Sequence, residues 1–313
     1  MEEILTQLPL KSGDIVVDAT LGGGGHALAL FEKVTPDGRL IAFDADQGAL
    51  ERFRRRVQSS KRGKEAIQNG NIVLVHQSFS GLEEALHTLD IHHVSAIFAD
   101  LGLSSDQLND RSRGFSFLSD GPLDMRFDTS CGESASDIVN TYEERVLAKI
   151  FSEYGDIRDA GKLAKCMVSE RAIHPFVTTM DLVKFAEHTM RDRRASIPPA
   201  TKLFQAIRIA VNREYEVLER FLNQAVHKVS NRGRIAVLSF HSGEDRIVKA
   251  KFREEARGCV CPKSFPVCRC GKKARLRLIT KRPLVPSEEE IRSNSRSRSA
   301  KLRVAERIFS EET

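Results

Sequence analysis

Asp100 closes the apolar run Val94-Ser-Ala-Ile-Phe-Ala99, and Leu-Gly-Leu-Ser104-Ser105 follows at once. The pattern sets an acid and two hydroxyls just past the end of a strand. An acid there suits chemistry on the exocyclic amine of a nucleobase. Such an amine is a poor nucleophile, because its lone pair is delocalised into the ring. Accepting hydrogen bonds from its N–H groups localises the pair and aims it at an electrophile. Asp100, the neighbouring carbonyls, Ser104 and Ser105 are the candidates for that work, with proximity and in-line alignment supplying much of the remaining rate. The plainer alternative is that Asp100 only contacts a cofactor.

A second set of residues points to the cofactor. Asp18-Ala-Thr-Leu-Gly22-Gly-Gly-Gly25-His26 lies between the apolar run Ile15-Val-Val17 and the helix-like run Ala27-Leu-Ala-Leu-Phe31. Strand, glycine loop and helix is how α/β proteins bring backbone close to a nucleotide-like ligand. Glycine tolerates positive φ and has no Cβ to block approach. Gly22, Gly24 and Ala27 also satisfy the relaxed pattern G-x-G-x-x-A, with Asp44 twenty residues beyond Gly24. An acid ending the second strand accepts hydrogen bonds from ribose hydroxyls, in NAD as in S-adenosylmethionine. An NAD-dependent oxidoreductase is therefore a rival reading, but it gives no account of the Asp100 segment. His26 could be a surface group or could touch the charged end of the ligand.

Six cysteines occur. Cys131 and Cys166 stand alone, whereas Cys259-Val-Cys261 and Cys268-Arg-Cys270 form a tight set. Thiols in this pattern suit a tetrahedral zinc site, although the spacing is tighter than the usual C-x-x-C. Structural zinc and four reduced thiols both remain open. A catalytic metal is not expected, since methyl transfer to an amine needs none.

The net charge of the 313-residue chain is +6, concentrated near the C-terminus, where residues 246–307 hold 19 Lys/Arg against 6 Asp/Glu. In Arg275-Leu-Arg-Leu-Ile279 basic and apolar residues alternate, as on a strand with a basic face. A polyanion such as RNA is the expected partner. A non-catalytic RNA-binding module would satisfy the charge pattern alone. No apolar run approaches the length a bilayer needs, and the start lacks the features of a signal peptide. No membrane association and a cytoplasmic location are the expectation.

The elements that must hold these groups follow from periodicity. Strands are predicted at Asp14–Asp18, Arg39–Asp44, Asn71–Val75 and Val94–Asp100. Helices are predicted at Gly25–Val34, Asp46–Ser59 with Asp46 as N-cap, and Ser80–Leu89. This alternation predicts a parallel sheet whose ligands sit at the carboxyl ends of the strands. The stretch Leu103–Asp128 then reads as a long functional loop. Helices follow at Glu143–Tyr154, Asp159–Ile173 and Met180–Met190, bounded by Ser196-Ile-Pro-Pro199, and are taken as an inserted helical subdomain. One long helix is expected over Thr201–Val229, then a strand at Arg234–Phe240 and a helix at Ser242–Ala256. Ala274–Thr280 and Ala300–Ile308 are expected to pair as strands.

Taken in order, these segments resemble the bacterial small-subunit rRNA cytosine-N4 methyltransferases, the RsmH/MraW family. The matching stretches run nearly end to end: Asp18–His26, Asp100–Leu108, Arg113–Phe117, Asp120–Arg126, Phe204–Ile209 with Val211, Asn212 and Glu214, Ser239–Ser242 with Glu244–Lys249, and Ser295–Arg307. Departures are small: Asp106 and Ser295 stand where proline is common, Gly243 where leucine is common, and Phe127 where methionine is usual.

The resemblance implies an α/β, class I (Rossmann-like) fold dependent on S-adenosylmethionine. Residues 1–108 and 200–313 would form the methyltransferase domain, and 109–199 the inserted loop and helical subdomain that recognises substrate. It implies cofactor contacts at Gly24, Gly25, His26 and Asp44, Phe79 against the adenine, Asp100 near the methionine portion, and Gln107 in the following loop. The implied activity is methylation of the N4 amine of a cytidine in 16S rRNA, near the decoding centre. The partner would be the small ribosomal subunit or its rRNA; a homodimer is left open, and a DNA amino-methyltransferase is the near alternative. Taking a base out of its stack costs about a few kcal/mol. The loop Asp110–Asp128 and the segment Phe240–Arg246, including His241, would surround that base. Phe115, Phe117 and Phe240 could stack on it or belong to the core. Arg113, His241, Lys281, Arg282, Arg296, Arg298 and Lys301 are the candidates for RNA contact.

Overall fold

Four apolar runs in the first hundred residues become parallel strands, the first three joined to the next by helices. In the computed structural model, which describes residues 1–190, 198–262, 265 and 267–308, they follow a short helix α1 (Glu2–Gln7). The order is β1 (Ile15–Asp18), α2 (Gly25–Val34), β2 (Arg39–Asp44), α3 (Gln47–Gln58), α4 (Lys61–Gln68), β3 (Ile72–His76), α5 (Leu82–Thr88) and β4 (Val94–Asp100). Asp46 caps α3 as expected, its Oδ1 accepting from the Gly48 N–H at 2.9 Å. Leu50, Phe53 and Val57 fall on one face of α3 and are buried. The short helix α4 was not anticipated; its run Lys-Arg-Gly-Lys-Glu carries few apolar residues to mark it.

The chain divides into two compact units, Met1–Gly102 with Tyr215–Thr313, and Leu103–Glu214. In the first unit the sheet order is β3-β2-β1-β4-β5-β7-β6, counting β5 (Val229–Ser239), β6 (Leu276–Leu278) and β7 (Lys301–Arg307). Strands β1 to β5 run parallel; β7 pairs antiparallel with both β5 and β6. This is the Rossmann-like class I arrangement that the sequence suggested. One face packs Val17, Ile41, Phe43, Ile97, Ile235 and Val237 against helices such as α5. The other packs Val16, Leu40, Ala42, Phe98 and Ala236 against α2 and α3. Burial on both faces explains why these strands read as continuous apolar runs. The expected pairing of the last two strands is present.

The second unit is helical: α6 (Ser105–Asn109), α7 (Ala135–Thr141), α8 (Glu144–Gly155), α9 (Ala160–Arg171), α10 (Thr179–Thr189) and α11 (Pro199–Asn212). Its core gathers Leu147, Phe151, Leu163, Met167, Leu182, Leu203, Phe204 and Ile207. Two expectations change here. The single helix predicted over Thr201–Val229 is two, α11 and α12 (Glu214–Lys228), broken at Arg213 with φ +47°. Apolar spacing continues across the break, so periodicity could not see it. The units also divide differently from the expected boundaries. Residues 103–108 and 200–214 belong to the helical unit, because Leu203, Phe204 and Ile207 fill its core. Residues 196 and 197 of the expected Ser196–Pro199 boundary lie outside those described. The chain closes its first unit with α13 (Ser242–Glu255) and α14 (Glu288–Ser293). No helix among the described residues is long and apolar enough to cross a membrane.

Candidate active site

Three neighbouring strands end in carboxylates: Asp18 on β1, Asp44 on β2 and Asp100 on β4. β1 lies between β2 and β4, so the crossovers leave it in opposite directions, and this is where open α/β sheets bind ligands. The glycine loop rises from the same point. Ala19 donates to the Phe98 carbonyl and Leu21 to the Phe43 carbonyl, each at 2.8 Å, tying the loop to both neighbouring strands. Gly24 holds φ +72° and caps α2; a Cβ there would collide with the Phe53 ring. No side chain caps α2, and a helix N-terminus with unmet N–H groups favours negative charge.

Asp44 is built into the loop. Its Oδ2 accepts from the Gly22 N–H and its Oδ1 from the Asp46 N–H, both at 2.8 Å. Burial raises its pKa, and these two bonds oppose the rise. Each oxygen keeps a lone pair for a further donor. Asp18 is fully buried. Its Oδ1 accepts from the Thr20 N–H at 3.1 Å, while Oδ2 has no partner among the described residues. Burial pushes its pKa well up, with Asp100 and Asp44 adding to the rise.

Asp100 is anchored through its backbone, whose N–H donates to the Thr20 hydroxyl at 2.6 Å. Its buried Oδ1 also lacks a partner among the described residues. Burial, then the nearby Glu244 carboxylate, raise its pKa to about 7. The His26 Nδ1 lies 3.6 Å from Asp100 Oδ2, and its ring leans on Phe98. Burial, with the Met1 ammonium nearby, lowers the His26 pKa to about 4, so the imidazole is neutral near pH 7. Two buried carboxylate oxygens without donors are costly unless a ligand supplies them. The rim therefore fits a cationic, hydrogen-bond-donating ligand. Gly24, Gly25, His26, Asp44 and Asp100 come together here. Asp18 joins them, marked in the sequence only by its place as the last residue of the first strand.

Other predicted site residues have structural employment. Phe79 opens a 3-10 turn and packs edge-on to Phe221 at 5.0 Å. Ser104 caps α6: its Oγ accepts from the Gln107 N–H, and its own N–H donates to Gln107 Oε1. Gln107 is buried, so this capping box engages both residues locally. Ser105 is exposed at the start of α6. In the long loop, Arg113 donates to the carbonyls of Arg126 and Phe127 at 2.8 and 2.7 Å, which closes the loop. Phe115 is core, 5.6 Å from the Phe127 ring, and Phe117 packs edge-on to Phe204. Phe240 is half-buried beside Gly102, directly past β5.

His241 is the N-cap of α13. Its Nδ1 accepts from the Glu244 N–H, and Glu244 Oε2 accepts from the N–H groups of Phe240 and His241. The residue expected at the RNA is thus also held in a helix cap. Gly243, where leucine is common in the family, lies under Tyr215, whose hydroxyl fills the space a Cβ would take.

The basic C-terminal stretch is partly self-neutralised. Arg275 makes a two-point pair with Glu255 at 2.6 and 2.8 Å, Arg277 pairs with Glu306, and buried Arg303 pairs with Asp245 at 2.6 Å. Lys301 lies 3.7 Å from Asp245. Lys281, Arg282, Arg296 and Arg298 are exposed. The four clustered cysteines are free thiols drawn together in one loop.

A model of the MraW methylase family matches residues 1–308. A curated relative from Thermomicrobium roseum, ribosomal RNA small subunit methyltransferase H, is 47% identical over 304 residues, covering 97% of this chain and 91% of its own. Proteins of the same name from Geobacter sp. strain M21 and Clostridioides difficile strain 630 are 44% and 41% identical. Each alignment covers 98% of this chain, with 96% and 97% of the respective relative.

Proposed function

This chain belongs to the MraW methylase family, and from that premise we propose that it methylates the N4 amine of a cytidine in 16S rRNA, near the decoding centre as the family resemblance implies. S-adenosyl-L-methionine supplies the methyl group, carried on a sulfonium. The observation that carries the reading is the carboxylate rim at the β1 switch point, with two buried oxygens awaiting donors beside a glycine loop. The small ribosomal subunit or its rRNA is the macromolecular partner, met in the cytoplasm.

Each rim residue has a part that its position supports. The backbone of Gly24, Gly25 and His26 at the head of α2 holds the carboxylate end of the cofactor. Asp44 accepts from the ribose hydroxyls through the lone pairs its loop bonds leave free. Asp18, fully buried and favoured in its neutral form, holds the turn into the loop through the Thr20 N–H. Asp100 accepts an N–H of the cytosine amine and so frees the nitrogen lone pair; above about pH 7 it does so as a carboxylate. A neutral His26 neither repels a cationic ligand nor competes with it for Asp100. Ser104, Gln107 and Phe79 are positioning residues in this reading, and exposed Ser105 remains a candidate for the amine. The exposed Lys281, Arg282, Arg296 and Arg298 contact phosphates.

The test offers S-adenosylmethionine labelled in the methyl group to naked 16S rRNA and to small subunits, followed by nucleoside analysis. Labelled N4-methylcytidine is expected from at least one substrate. No label in either would end the reading.

A further inference from the structure

The geometry points to a structural zinc site at Cys259, Cys261, Cys268 and Cys270, which staples the loop between α13 and β6. α13 ends at Glu255 and β6 begins at Leu276, so a long connection with no regular element among its described residues must be held by other means. Its base is closed by the Glu255–Arg275 pair and by the Arg275 N–H donating to the Glu255 carbonyl at 2.8 Å. Beyond that base the loop buries little. Val260, Phe265 and Val267 remain 55%, 47% and 69% exposed. Loops of this length without a core of their own need a cross-link to hold one conformation.

The thiols supply one. The Sγ atoms of Cys259 and Cys268 are 3.4 Å apart, Cys268 and Cys270 3.6 Å, and Cys259 and Cys270 3.8 Å. All four Sγ atoms lie within 4.8 Å of one another. A tetrahedron with Zn–S bonds of about 2.3 Å has edges of about 3.8 Å. Uncharged thiols in water have little reason to converge in this way, since S–H is a weak donor. The backbone is also turned toward the sulfurs. Val260 N–H donates to Cys270 Sγ at 3.5 Å, Cys261 N–H to Cys259 Sγ at 3.4 Å, and Arg269 N–H to Cys261 Sγ at 3.3 Å. Such donors spread the charge of a tetrathiolate, as outer-shell bonds do around bound metals. The two short C-x-C turns achieve from both sides of the loop what C-x-x-C knuckles achieve elsewhere. On binding, four S–H groups lose their protons to solvent and four Zn–S bonds form. With four sulfurs and no open position the ion is structural. The site is independent of the methyl-transfer reading.

The experiment uses the full chain carrying Cys131→Ser and Cys166→Ala, purified without a metal-affinity step, so that only the cluster thiols report. One zinc per chain is expected by elemental analysis. Cobalt(II) exchange should give the intense visible bands of a tetrahedral tetrathiolate. The four thiols should resist Ellman's reagent until a chelator is added. Chelation should also speed trypsin cleavage at Arg257, Arg269 and Lys272 by about tenfold or more, and Cys259→Ser with Cys268→Ser should reproduce that sensitivity without chelator. Zinc below about a tenth of an equivalent, iron in its place, or thiols as reactive in the native chain as in urea would overturn the site. If the double variant does not fold, the metal content and cobalt spectrum of the parent still decide.

Discussion

Asp100 is held where burial sets its charge. With its pKa near 7, raised first by burial and then by Glu244, the carboxylate forms as pH climbs from 6 to 8. Initial-rate measurements should therefore show kcat/KM rising through this window, up to about tenfold per unit on the acid side. A bound cation will draw the midpoint lower. Asp100→Asn should flatten the profile, and Asp100→Ala should cut kcat by about 100- to 1000-fold. Stability moves the other way. A folded pKa raised above the unfolded value means the native state takes up the proton more readily, so its stability is greatest at low pH and declines as pH rises through 7. Calorimetry of the ligand-free chain at pH 8 should find Asp100→Asn more stable by about 2 °C or more. Gly24→Ala forces a Cβ into the Phe53 ring at φ +72° and should weaken S-adenosylmethionine binding by about tenfold or more in calorimetric titration. Gly24, Asp44 and Asp100 were legible in the chain because loop chemistry and strand ends mark them. Asp18 was not, because its meaning is full burial between two other carboxylates.

At the scale of elements, Arg213 is the informative misreading. Leucine and phenylalanine spacing carries on from α11 into α12 as though one helix ran through, yet Arg213 stands at φ +47°. Only glycine takes that conformation cheaply, so Arg213→Gly should raise unfolding free energy by about 0.5–1 kcal/mol in urea titration. The Asp245–Arg303 pair ties α13 to β7 inside the first unit. Arg303→Met would leave the Asp245 carboxylate with only the Lys301 ammonium 3.7 Å away, and the expected loss is about 1–3 kcal/mol. In the sequence Arg303 alternates with Leu302 and Val304 in the manner of an exposed strand face. Residues 302–306 of β7 are all buried although successive side chains point to opposite faces, so both faces are covered and the charge had to find a partner.

Across the whole molecule the basic balance splits into two populations. Arg275, Arg277 and Arg303 are neutralised by Glu255, Glu306 and Asp245, while Lys281, Arg282 and Arg298 face solvent. Replacing the three exposed residues with alanine should lower the salt slope of rRNA binding by about two to three. A filter-binding series in potassium chloride measures it, and an unchanged slope would remove them from the interface. The chain by itself determined the strand–loop–helix order, the glycine turn, the acids at strand ends and the clustered thiols, because these are local patterns of polarity, spacing and backbone freedom. Tertiary structure alone decided which side chains were already spent. His241 caps a helix, Arg113 closes a loop, Ser104 and Gln107 bond each other, and part of the basic stretch pairs internally. Those outcomes depend on partners distant in sequence or on the exact turn a segment adopts, and a polar residue awaiting a ligand looks the same in sequence as one that has found its partner.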